Sequence, residues 1–104
     1  MKLKRLDISA PAQTDLIAIY RYIAQDDPLA AERFVADLIR QMYKIARLGI
    51  SGSPRDWIRP SLRGFSYRQR CIYFRSYKDR IVIVRVLHGK QDIGRQEFDE
   101  SQST

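Results

Sequence analysis

The chain predicts an α+β fold of order β-α-α-β-β-β, with a helical hairpin packed on one face of a small, mainly antiparallel sheet. Three features of the 104-residue sequence lead there. Apolar residues recur with a helical period from Ala12 to Ala46, broken once at Asp27-Pro28. A stretch rich in Gly, Pro and Ser (49–60) then ends that pattern. Beyond it the residues turn β-branched and aromatic, culminating in Ile81–Leu87, an apolar run interrupted only by Arg85.

In chain order, Leu3, Leu6 and Ile8 mark a short first strand over Lys2–Ile8. Ser9 is placed to cap the next helix, and Pro11 costs nothing in a first turn, where the N–H groups lack helical partners. Ala12, Leu16, Ile19 and Ile23 form the apolar stripe of that helix. Asp27-Pro28 stops it and opens the second helix as cap and first-turn proline. There Ala31, Phe34, Val35, Leu38, Ile39, Met42, Ile45 and Ala46 make a broad apolar face ending near Leu48-Gly49. So short a link makes the two helices antiparallel neighbours. Segment 49–60 reads as an ordered loop around Trp57, which either plugs one end of the core or anchors a partner. Leu62–Ser66, Tyr67–Tyr77 and Arg80–His88 read as three strands, with Lys78-Asp79 as a tight turn. Residues 1–95 form a single domain, and 96–104 are expected to be a flexible, acidic tail.

Charge narrows the function classes. Residues 1–50 carry eight Lys/Arg against six Asp/Glu (+2), residues 51–95 eleven against three (+8), and residues 96–104 contribute −3, which sums to +7. A cationic second half favours an anionic partner, either nucleic acid or an acidic protein, against the plainer reading of a solvated basic face. No apolar segment approaches the roughly 18 residues of a membrane span, so no membrane partner is expected. The basic N-terminus leads into polar residues rather than a signal sequence. A single cysteine, Cys71, fits a reducing cytoplasm and reads as a packed thiol rather than a nucleophile. One His and one Cys cannot supply a usual zinc site, and neither common phosphate-loop pattern is present, so no metal or cofactor is expected.

The sheet half interleaves Arg63, Arg68, Arg70, Arg75, Arg85 and His88 with Phe65, Tyr67, Tyr73 and Tyr77. Arginine with aromatics on strands suits an RNA surface, since guanidinium pairs with phosphate and rings stack on bases. Arg85 inside an apolar run requires either a carboxylate partner or an anion-binding groove. Cleaving RNA would further require a group to take the 2′-hydroxyl proton, a cation for the phosphorane and an acid for the leaving oxygen. The lone histidine, His88, is the one candidate base, but a histidine in such a place more often serves structure by hydrogen-bonding a neighbouring strand or loop, with catalysis and partner contact as the other readings.

Several blocks occur in order: A-x-x-D-L at Ala12–Leu16, D-P-x-A-A at Asp27–Ala31, G-x-P-R at Gly52–Arg55, L-R-x-F at Leu62–Phe65, and R-V-L-H at Arg85–His88 followed by Asp92 and Arg95. The set covers roughly residues 3 to 95 and resembles the ParE branch of the RelE/ParE toxins of bacterial toxin–antitoxin systems. The resemblance implies a toxin that poisons DNA gyrase and is neutralised by a small, acidic, partly disordered antitoxin. In that case no residue is catalytic, and Trp57, Arg63, Arg68, Arg70, Arg75, Arg85 and His88 are candidate partner contacts. The alternative is a ribosome-dependent mRNA endonuclease of the RelE type, using Arg68, Arg70, Arg85 and His88. RelE-like nucleases typically carry a Tyr or His just past the last strand, and 89–93 contains neither.

Overall fold

The structure is a computed structural model that describes residues 3–89 and 93–100. The chain runs β1 (Arg5–Ile8), α1 (Ala10–Ala24), α2 (Pro28–Leu48), β2 (Ser53–Pro54), β3 (Arg63–Tyr67), β4 (Arg70–Ser76) and β5 (Arg80–His88), then a single 3-10 turn at Ile93–Arg95. Five strands form one sheet in the order β1-β5-β4-β3-β2. β1 lies parallel to β5, and the other pairings are antiparallel. The two helices and mixed sheet agree with the α+β expectation.

The helices start and stop where their caps dictate. Ser9 Oγ accepts from Ala12 N at 3.1 Å and donates to Val84 O at 2.9 Å, so one buried hydroxyl caps α1 and binds it to β5. Asp27 Oδ1 accepts from Ala30 N at the head of α2. α2 ends at Gly49, whose φ of 65° is the left-handed conformation glycine adopts without steric cost. Ala12, Leu16 and Ile19 of α1 and Leu38, Met42, Ile45 and Ala46 of α2 meet Ile72, Phe74, Ile81, Ile83 and Val86 in the main core.

The opposite sheet face is also covered. Cys71, Tyr73, Val82, Val84 and Leu87 pack there with Ile58 and Leu62, joined by Tyr77, Ile93 and Phe98. Burial on both faces explains why β5 is a continuous apolar run rather than an alternating one. A bulge interrupts the β4–β5 ladder, where Tyr73 pairs with Arg85 but Phe74 with Ile83, leaving Val84 as the extra residue. Bulges re-aim side chains, and this one falls beside Arg85.

Three details depart from the sequence reading. The strand expected over Tyr67–Tyr77 is broken at Arg68-Gln69, a two-residue hairpin turn with φ of 45° and 67°. Such turns require positive φ at both positions and normally use Gly, Asn or Asp, so Arg-Gln carried no turn signal. A two-residue strand, β2, lies within the expected loop and pairs with β3. It is drawn in by Gly52, where a Cβ would stand 2.6 Å from Gly64 O. Trp57 does not plug the core: it is 77% exposed, and its neighbour Ile58 enters the second cluster instead.

The segment read as a flexible tail makes contacts with that second face at residues 96–100, among them a T-shaped Phe98–Tyr73 pair at 5.3 Å.

Ser9→Ala removes a cap and leaves Val84 O without its hydroxyl donor; the expected loss is about 2 kcal/mol, read by urea denaturation. A second test is alkaline. Burial, followed by the neighbouring Cys71 thiol, pushes the Tyr73 hydroxyl from 10.0 up to about 12. The folded state therefore favours the neutral phenol. That contribution is complete below pH 10 and is lost as pH rises toward 12. Stability measured across this window should fall, and Tyr73→Phe should flatten the fall.

Candidate functional site

β1 stops at Ile8, opposite Ile83, while β5 continues to His88. The last third of β5 thus has an edge that β1 does not cover, and α1 lies along it. Ser9 N donates to Ile83 O at 3.0 Å, and Asp15 Oδ2 accepts from Val86 N at 2.9 Å. Asp15 also takes Arg85 in a two-pronged pairing, Nε to Oδ2 at 2.7 Å and Nη2 to Oδ1 at 2.8 Å. The two side chains are 14% and 13% exposed, so the pair is largely withdrawn from water. The hydrogen bonds to Asp15 raise the Arg85 pKa against the opposing effect of burial. Arg85 therefore has the carboxylate partner its place in an apolar strand required.

Past this pair the α1–β5 seam opens into a groove of about 590 Å3. Asp15, Ala18, Ile19 and Tyr22 line it from α1, and Gln69, Arg70, Val86 and His88 from the sheet. The helical residues follow an i, i+3, i+4, i+7 pattern and so share one face of α1. Arg70 and His88 are direct partners across β4 and β5 and line the groove together. Arg70 packs its guanidinium 5.9 Å from the Phe34 ring, and its buried Nε has no hydrogen-bond partner among the described residues. A buried guanidinium N–H without an acceptor is costly, and a carboxylate or phosphate oxygen would relieve it. Tyr22 is 70% exposed at the groove wall.

The Arg68-Gln69 turn borders this groove. Gln69 O accepts from Gly89 N at 3.1 Å, which closes the ends of β4 and β5 together. Arg68 lies 5.3 Å over the Tyr67 ring, and Tyr67 stacks on Phe34 with centroids 6.5 Å apart. Arg68 also lines a smaller hollow of about 240 Å3 with Asp27, Arg33, Phe34 and Asp37. Positive φ at two non-glycine residues carries a cost of order 1–3 kcal/mol each, a strain that recurs at binding sites.

The structure thus unites Arg68, Arg70 and His88 at one end of the sheet and scatters the rest. Arg63 bonds Ser51 O and Gly52 O beside the β2 loop. Arg75 pairs with Glu100 at 2.6 Å on the second face. Arg85 is committed to Asp15, and Trp57 stands exposed in its loop. Of the interleaved aromatics, Tyr73 is buried, while Phe65 and Tyr67 pack against the helix-side core, so no single Arg–aromatic sheet surface forms. Burial also raises the Cys71 thiol, as suits a packed rather than a reactive cysteine. Asp92 lies outside the described residues. Among those described, no three His, Cys, Asp or Glu side chains are grouped to hold a metal ion. No helix among them is long and apolar enough to cross a membrane.

Sequence reasoning did not place Asp15, Tyr22 or Gln69 in the site. For Asp15 a signal existed: Arg85 demanded a carboxylate, and the A-x-x-D-L block supplied one. Tyr22 and Gln69 carried none, because their positions depend on how the hairpin tip meets α1.

A family model described as the ParE toxin of the type II toxin–antitoxin system parDE matches residues 6–93. The chain belongs to the ParE toxin family. The ParE-like domain also superposes on a solved structure described as the chromosomal ParDE TA system from P. aeruginosa, with a TM-score of 0.70 and 25% identity. That match covers 83% of this chain and 96% of the other. No curated protein matches this ParE-family chain.

The Asp15–Arg85 pair should be the most sensitive polar contact of this ParE fold. Asp15→Ala leaves a mostly buried guanidinium and Val86 N unsatisfied, with an expected cost of about 3 kcal/mol in chemical denaturation. Replacing both members by leucine should cost less than Asp15→Ala alone.

Proposed function

We propose that this ParE-family toxin acts by binding DNA gyrase and holding it on cleaved DNA, and that a small acidic antitoxin, disordered in part, neutralises it. The observation that carries the choice of target is the Asp15–Arg85 pair. Its bidentate geometry occupies one of the four residues a RelE-type nuclease would use, and the carboxylate beside it is already committed to three hydrogen bonds. What the groove retains is suited to gripping: an under-bonded Arg70, the neighbouring His88 and an exposed Tyr22. Arginine and tyrosine are the residue types that dominate protein–protein contacts.

The antitoxin reading rests on charge. A +8 excess over residues 51–95 attracts an acidic segment that is disordered when free and folds as it binds. Of the candidate contacts, we assign Arg68, Arg70, His88 and the exposed Trp57 to partner binding. Arg63 holds the β2 loop, Arg85 is committed to Asp15, and Arg75 holds Glu100 on the opposite sheet face.

A second reading has one observation in its favour. His88, Tyr22 and Arg70 line the same groove, so a proton donor, a proton acceptor and a cation could meet on an RNA backbone.

Purified gyrase assayed with and without the chain separates the two. The gyrase reading expects supercoiling to stop and cleaved DNA to accumulate, with transcripts intact. Unimpaired supercoiling, together with cut transcripts in ribosomes that disappear in His88→Gln, would instead establish the nuclease. In cells, expression alone should arrest growth, and co-expression with the acidic partner should restore it.

A further inference from the structure

The second sheet face, opposite the helices, holds a peptide in the manner of a receptor. Residues 96–100 lie across it without helical or strand structure of their own. Two of their main-chain carbonyls are taken by guanidinium groups: Gln96 O by Arg59 Nη2 at 3.1 Å and Glu97 O by Arg85 Nη1 at 2.8 Å. The Phe98 ring meets Tyr73 edge-on at 5.3 Å, with Arg59 above it at 5.3 Å. Two residues on, the Glu100 carboxylate receives Arg75 Nη1 at 2.6 Å and the Tyr77 hydroxyl at 2.8 Å. Arg75 and Glu100 keep only 18% and 28% of their side-chain exposure, which makes this more than a loose surface pair.

The receiving residues come from elsewhere in the chain and are positioned independently of the segment they hold. Tyr73 and Arg75 are fixed by ladder pairing to Arg85 and Val82, and Arg59 by its own turn through Nη1 to Ile58 O. Two donors for backbone carbonyls, a slot for a ring and a fork for a carboxylate together define a recognisable ligand. Backbone contacts of this kind supply affinity, and the side-chain positions supply selectivity. The resident segment leaves one cation of this face without a carboxylate, since among the described residues the Arg59 guanidinium bonds only the carbonyl oxygens of Ile58 and Gln96. A more acidic segment of another protein has an electrostatic advantage over it.

We propose that this face is a docking site for an acidic segment of a partner protein, one with an aromatic residue two positions ahead of a glutamate, and that residues 96–100 are its intramolecular occupant. The inference goes beyond the choice of target and does not require it to be gyrase. The chain's own segment competes at the high effective concentration of a tethered ligand, so the site is masked until a stronger ligand arrives.

The test uses the full-length chain with Phe98→Ala/Glu100→Gln, which vacates the site, and a fluorescein-labelled synthetic peptide of residues 94–100. Anisotropy titration should show saturable binding to the double variant, about tenfold tighter than to the unaltered chain. Adding Arg75→Ala should weaken that binding by about tenfold, and raising salt should weaken it further. Equal binding to both chains, or none to a double variant with a native near-UV spectrum, overturns the proposal. Loss of the native spectrum in the double variant also overturns it, since the segment would then be part of the core. Sedimentation adds a final outcome: a concentration-dependent dimer of the unaltered chain, abolished in the double variant, would assign the face to a second copy and overturn the partner assignment.

Discussion

Arg85 and Asp15 meet where β5 outruns β1, and their pairing addresses two problems together. An arginine in an apolar strand needs a counter-charge, and a strand edge needs acceptors for its N–H groups. Asp15 provides both, through two bonds to the guanidinium and one to Val86 N. The same guanidinium reaches the other side of the sheet to hold Glu97 O. One wall of the groove, through Asp15, and one anchor of residues 96–100, through Glu97 O, thus meet at this one side chain. A pair this dry contributes little net free energy compared with an apolar substitute, but it strongly penalises any arrangement that separates its members.

The distribution of charge follows from that commitment. A sequence rich in arginine reads at first as a broad cationic platform. In the folded chain Arg63, Arg75 and Arg85 are engaged with carbonyls and carboxylates of the chain itself. The net positive field remains and can steer an anionic partner from a distance. On the groove side Arg68, in the strained turn, and Arg70, just after it, lean on Tyr67 and Phe34.

Much of the architecture was legible before folding was considered. Both helix caps, the apolar stripes, the Lys78-Asp79 turn and the need of Arg85 for a carboxylate could each be read locally, because each depends on neighbours within a few residues. What escaped was non-local or broke a compositional habit. Arg68-Gln69 adopts a turn usually marked by Gly or Asn, so the composition puts the strand boundary before Tyr67 rather than after it. β2 exists only because Gly52 lets the chain approach Gly64. Trp57 reads either as a core plug or as a partner anchor, and it is the adjacent Ile58 that enters the core. The site itself was half visible: Arg70 and His88 were identified, but the α1 face opposite them was not.

The outermost strand, β2, is two residues long and ends in Pro54, which has no N–H to offer. At the other border β1 spans four residues and begins with the exposed Arg5, whose charge discourages a neighbour from stacking alongside. Sheets with such borders resist the edge-to-edge growth that produces fibrils. Such borders offer a foreign strand little backbone to pair with, while the long apolar β5 lies inside the sheet between β1 and β4.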